Sequence, residues 1–184
     1  MAKIPSHAKK VFSGEIFDVY QWDQEMFDGS KKIFEAAGRP HTALVIPVID
    51  DKIVLSYERQ PGKDWHLTFL WGRLESGEDP VVGAKRELEE EAGMISDNFV
   101  LCQSFSPASK MDYVLYYYIA KDCIVHGNQS LDIGGEELEL RYVSFDEFID
   151  FVQSVDCRDV DFANYIFRLE KEGKLEEFRT LLFS

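Results

Sequence analysis

The chain has 184 residues, 45% of them hydrophobic, with 14 Phe, 8 Tyr and 3 Trp, which is enough apolar material for one ordinary domain with an appendage. A formal net charge of −14 argues against nucleic-acid backbone as a natural partner. No stretch approaches the length of a membrane span, and the basic run Met1–Lys10 has no apolar segment behind it, so it does not read as a signal peptide.

In chain order, residues 10–36 alternate loosely through Val11-Phe12, Ile16–Tyr20 and Gln24–Phe27, turn at Asp28-Gly29, and resume at Ile33-Phe34. An Asp-Gly turn between two such runs predicts a hairpin, and the whole predicts a small antiparallel N-terminal sheet. Residues 42–49 are nearly all apolar, as in a buried central strand, and after the turn at Asp50-Asp51 the chain returns as a strand over Lys52–Tyr57. Pro61-Gly62 breaks the chain, and His66–Trp71 is expected to form one strand leading into an acidic loop. A helix follows, then strands over Phe99–Ser104 and Tyr113–Ala120 separated by the loop Ser106–Lys110. Gly127–Gly135 reads as a polar loop, Glu137–Val143 as a strand, and Ser144 with Glu147 as a capping box for a helix to about Val152. The last helix spans Asp159–Leu182 with a break at Gly173. Strands mixed with helices in this order predict an α/β sandwich. Cys102, Cys123 and Cys157 are odd in number and widely spaced, as expected of reduced thiols in a cytoplasmic protein.

Residues 72–94 carry the chemistry. Asp79 is placed to cap a helix, Pro80 to occupy its first position and Gly93 to end it in a left-handed turn. At about 100° per residue, Val81, Ala84, Leu88 and Ala92 share one face, while Gly83, Glu87, Glu90 and Glu91 share the other. Like charges one turn apart cost a bare helix roughly 0.2–0.5 kcal/mol per pair. A hard divalent cation reverses that sign, because it takes oxygen ligands. Arg86 is placed to hold a carboxylate by a bidentate pair, and the bare Gly83 to leave room for a bridging phosphate. Acid-rich helices are usually solvated faces. The conjunction of several fixed positions after a strand and a loop favours a metal cage instead.

The spacing Gly72, five residues, Glu78, seven residues, then Arg86-Glu87-Leu88-Glu89-Glu90-Glu91-Ala92-Gly93-Met94 resembles the signature of the Nudix hydrolases at every fixed position. The resemblance implies a Nudix-type α/β/α sandwich with a mixed sheet over residues 41–184, and an N-terminal β appendage over residues 1–40 of the kind that builds a homodimer in the ADP-ribose pyrophosphatase branch. It implies Mg2+ or Mn2+ as cofactor, held by Glu87, Glu91 and the backbone carbonyl of Trp71, with Glu90 as a ligand or a supporting group. Gly72, Glu78 and Gly93 would support the motif, and Glu89 points to solvent. In this branch a late loop supplies the base or one more metal-binding Glu; the base would here be Glu136, with Glu137 as fallback, while a second late acid of some members would fall on Gly134 and is missing.

The activity implied is cleavage of the pyrophosphate of a nucleoside diphosphate linked to another group, most closely ADP-ribose or a related ADP-linked compound. Ser109-Lys110-Met111 resembles a segment of the subgroup acting on ADP-linked compounds. Ala108 after Ser106-Pro107, and Leu70 where the branch carries a proline before Trp71-Gly72, depart from the ADP-ribose pattern. Arg59 and Lys110 are candidates to meet a phosphate. Phe69, Trp71 and Tyr113 could stack a base or pack the core, and large aromatics are more often buried. The alternative is a non-catalytic nucleotide-binding Nudix module with a regulatory role. The intact acid set argues against it.

Overall fold

The computed structural model describes residues 4–131 and 135–184. Strand β4 (Thr42–Ile49) runs through the middle of a seven-stranded mixed sheet, flanked by β5 (Lys52–Arg59), β11 (Leu115–Lys121), β9 (Asn98–Phe105) and β13 (Glu137–Val143) in the order β13-β5-β4-β11-β9. β11 lies parallel to β4, and the other pairings are antiparallel. Both faces of β4 are covered, which is why its sequence is continuously apolar rather than alternating. Leu44, Ile46 and Val48 pack with α2 (Phe145–Val152), α3 (Val160–Lys171) and α4 (Leu175–Phe183). Ala43 and Val45 pack with Ala84, Leu88 and Ala92 of α1 (Pro80–Ala92) on the opposite face. The result is the α/β/α sandwich that the sequence implies.

The expected single strand over His66–Trp71 is two. β6 (His66–Thr68) pairs with β5, and β7 (Leu70–Arg73) pairs with β4. Phe69 makes the crossing and is fully buried, with its ring edge-on to Tyr117, Phe148 and Phe162. β4 itself pairs with β5 only through Val48 and Ile49, so the two strands separate beyond that point and β6 and β7 occupy the fork. This fork delivers Trp71 and Gly72 to the surface of α1.

The N-terminal sheet, β1 (Lys9–Ser13), β2 (Asp18–Glu25) and β3 (Lys31–Gly38), is antiparallel as expected. A short later strand, β10 (Met111–Asp112), adds to its edge in parallel with β3 and stitches it to the larger body. β8 (Met94–Ile95) and β12 (Ile124–Val125) form a further small pair. Ser144 and Glu147 form the full capping box, and Gly173 adopts φ 71° at the break between α3 and α4.

Candidate functional site

The helix that carries the acids begins and ends as its sequence requires. The Asp79 side chain accepts from Val81 N at 3.1 Å, Pro80 takes the first position, and Gly93 adopts φ 61° while its N–H returns to the Glu89 and Leu88 carbonyls. The apolar face packs on the sheet, yet two acids of the opposite face are also shielded from solvent, while Glu90 is partly exposed. Glu87 is 7% exposed and Glu91 5%. Glu89 is exposed, as expected.

Gly72 explains how a buried carboxylate fits there. A Cβ at this position would lie 1.8 Å from the Glu87 carboxyl, so the acid lies directly against the bare backbone of β7. Gly83 has a different role from the expected one. The space beside it is filled by Leu74, 2.3 Å from where a Cβ would sit, and by Glu78. Its bareness serves packing, and it does not line the cleft of Glu87, Glu90 and Glu91.

Arg86 joins the cluster to the preceding loop. Its Nη1 donates to Glu87 Oε1 at 2.6 Å and to Glu90 Oε2 at 3.0 Å, and its Nη2 donates to the Arg73 carbonyl at 3.1 Å. Glu78 accepts from Arg86 at 3.4 Å and from Glu75 N at 2.8 Å, so it braces the loop. Burial opposes the charge on Arg86, but the Glu78 and Glu87 carboxylates hold its pKa above the ordinary value. Burial raises the Glu87 pKa against the pull of Arg86. Burial also raises that of Glu91 well above its usual range, and the Glu87 charge adds to this, opposed by one hydrogen bond from Trp71 N at 3.0 Å.

Arg86, Glu87, Glu90 and Glu91 line a cleft of about 850 Å³ that also includes Gln60, Ser130 and Glu136. The charge of Glu136 reaches Glu91, while Glu137 is held by Arg59 Nε at 2.6 Å. Arg59 also lies over the Trp65 ring at 5.1 Å. Lys110 does not line the acid cleft; its Nζ sits over the Phe34 ring on the N-terminal sheet at 4.6 Å. The position Gly134, where a second acid was sought, lies outside the described residues.

Of the three aromatics, Phe69 is core. Tyr113 donates its hydroxyl to Thr42 Oγ1 at 2.9 Å and has the Arg39 guanidinium over its ring at 4.2 Å. Trp71 is half-buried against the core and lines both the acid cleft and a neighbouring recess. All three cysteines are free thiols, and burial pushes each pKa up to about 11.

Sequence reading missed two features. Glu58 on β5 is only 1% exposed and lies beneath Trp71; the alternation of Ser56 with Glu58 on an inward face was the available signal. The segment after β12 is strapped to the end of α1, with Gln129 Nε2 donating to the Glu91 carbonyl at 2.6 Å and Ser130 N to the Glu90 carbonyl at 2.8 Å. No short-range pattern announces that contact.

Among the described residues, no three His, Cys, Asp or Glu side chains converge as a ready-made cage, because Glu87 and Glu90 are turned toward Arg86. The chemistry of the donors nonetheless fits a hard divalent ion. Buried carboxylates with raised pKa values are short of positive charge, and every side-chain donor is oxygen.

The family described as the NUDIX domain matches residues 38–175. The chain is 28% identical over 173 residues to a protein named ADP-ribose pyrophosphatase from Bacillus subtilis (strain 168), covering 91% of this chain and 92% of that one. It is 27% identical over 148 residues to a methanol dehydrogenase activator from Bacillus methanolicus, covering 79% and 80%. A crystal structure of an ADP compounds hydrolase superposes with a TM-score of 0.70 at 20% identity over 92% of this chain and 95% of the other, which speaks for the fold.

Proposed function

The chain belongs to the NUDIX family, and from that premise we propose that it is a divalent-cation-dependent hydrolase of nucleoside diphosphates linked to another group, ADP-ribose or a related ADP-linked compound foremost. The observation that carries the reading is the pair of buried acids, Glu87 and Glu91, set against the bare Gly72 and the Trp71 peptide. Glu87, Glu91 and the Trp71 carbonyl would hold Mg2+ or Mn2+, with Glu90 beside them. Bound there, such an ion offsets phosphate charge and lowers the pKa of a coordinated water. It would also answer the repulsion that a chain of net charge −14 exerts on a diphosphate.

The protein's own groups have distinct tasks. Arg86 orients Glu87 and Glu90 through its two short bonds. Glu136, across the cleft from α1, takes the proton of the attacking water. Arg59, beside the cleft mouth, is placed to meet a phosphate if Glu137 releases it. The N-terminal sheet, with Val11, Phe12 and Ile33 exposed on its strands and Phe27 on its hairpin turn, supports a homodimer. The free thiols support a reducing, cytoplasmic setting. No helix among the described residues is long and apolar enough to cross a membrane.

A second reading is a nucleotide-binding module that acts on a partner enzyme, favoured by the likeness to a protein named as a dehydrogenase activator. Assay of ADP-ribose, NADH, GDP-mannose and dinucleoside polyphosphates with Mg2+ separates the two. The hydrolase reading expects release of nucleoside monophosphate from at least one ADP-linked compound. No release from any of them favours the module.

A further inference from the structure

Two buried carboxylates on different elements, Glu91 in the acid cleft and Glu58 in the neighbouring recess, are joined by one residue. Trp71 donates its backbone N–H to Glu91 Oε2 at 3.0 Å and its indole Nε1–H to Glu58 Oε1 at 3.4 Å. Glu58 sits on β5 with 1% of its surface exposed, accepts from Ser56 Oγ at 3.1 Å, and has His66 Nε2 at 3.8 Å from Oε1. We infer that Glu58 is a positioning residue for the acid cleft, acting through the Trp71 indole on the peptide that holds Glu91.

The geometry of the fork gives the reason. β7 is a four-residue strand whose partner is β4 on one side only. A strand residue projects its N–H and C=O to the same edge. The N–H of Trp71 goes to Glu91, so its carbonyl shares that edge. The ring is then the lever that sets the rotation of this peptide, and Glu58 is the buried anchor of the ring. A buried acceptor oxygen that loses its donor is costly to leave unpaired. Glu58 therefore resists any rotation of Trp71 that would lengthen its bond to the indole. Ser56 and His66 hold the anchor from the other side, at the β5–β6 pairing where Glu58 faces His66. Partners that orient a metal ligand in this way typically govern affinity by about 10–100-fold.

This inference rests on the cation reading above, and its test reads metal binding without turnover. Mn2+ is titrated into the full chain in the absence of nucleotide, with free ion followed by electron paramagnetic resonance. Glu58→Leu removes the acceptor at similar volume, Glu58→Gln keeps an acceptor without charge, and Trp71→Phe removes only the indole donor and part of the ring. Glu58→Leu and Trp71→Phe are each expected to weaken Mn2+ binding by about 10-fold or more. The double variant is expected to be no weaker than the worse single one, because both cut the same link. Glu58→Gln is expected to stay within about threefold of the unaltered protein. Affinities within about twofold for both single variants would overturn the inference, as would losses that multiply in the double variant. Glu58→Gln as weak as Glu58→Leu would overturn it too, since charge rather than the bond would then matter. Should Trp71→Phe not fold, the Leu and Gln variants of Glu58 still decide the question. If the unaltered protein binds no Mn2+, the cation reading fails and this inference with it; if it binds and the variants match it, only this inference falls.

Discussion

At Gly72 a single missing carbon decides whether the site exists. Glu87 occupies the volume a side chain would need, so Gly72→Ala must push the carboxylate aside. Overpacking of this kind costs about 1–3 kcal/mol. The expected outcome is a lower melting temperature together with a loss of hydrolysis larger than the stability change explains. Glu87→Gln and Glu91→Gln keep the shape of the cluster and remove its charge; each is expected to lower kcat by at least about 10²-fold, and turnover within a few-fold of the unaltered protein would refute the roles given to them. A pH effect lies elsewhere, at Asp159. Burial raises its pKa although the Tyr117 hydroxyl donates to it at 3.0 Å. A raised carboxyl contributes stability below its unfolded pKa and loses that contribution as pH rises through the folded value. Asp159→Asn, neutral at every pH, should therefore match or trail the unaltered protein near about pH 4 and gain on it toward about pH 7. Melting curves in which the difference is flat or reversed would contradict this. At this scale Glu87, Glu90 and Glu91 were legible because one helix fixes their spacing, and Gly72 and Glu78 because the motif places them. Glu58 was not, since its pairing with Trp71 depends on how β4 and β5 separate.

The elements divide in the same way. The helix α1 was readable end to end because its cap, its proline and its terminal glycine are local signals, and the capping box of α2 likewise. Gly93 illustrates how far such a signal reaches. It has φ 61°, and a Cβ there would meet the Gly127 carbonyl at 2.5 Å, so it both ends the helix and admits the strap that follows β12. Gly93→Ala is expected to destabilise the fold by more than the roughly 1–2 kcal/mol that a side chain costs in the left-handed conformation alone, measured by denaturant unfolding. A cost of a few tenths would show that the strap does not press on this turn. The division of His66–Trp71 into β6 and β7 could not be read, because a short apolar run does not say when it changes partner strands. Its cause is tertiary: Phe69 turns into the aromatic core and carries the chain from β5 to β4. The same event places the Trp71 peptide over Glu91, so the least legible element is the one that completes the cleft.

For the whole molecule, the order of strands and helices gave an α/β sandwich and the motif resemblance its α/β/α layering, with β4 buried on both faces as its composition required. The long-range contacts of β10 with the N-terminal sheet, and of the strap with α1, had no counterpart in local pattern. Exposed apolar side chains on the N-terminal sheet lead to the expectation of a dimer mass by light scattering at micromolar concentration, and a monomer would count against that surface as an interface. The cation proposed above rests on the net charge of −14 and on the burial of Glu87 and Glu91. The most direct test is crystallographic: crystals grown with Mn2+ and a non-hydrolysable ADP-ribose analogue, with data collected for the anomalous signal of manganese. The account predicts a peak bounded by Glu87, Glu91 and the Trp71 carbonyl and touching the diphosphate. Bound analogue with no anomalous peak beside those groups would contradict it.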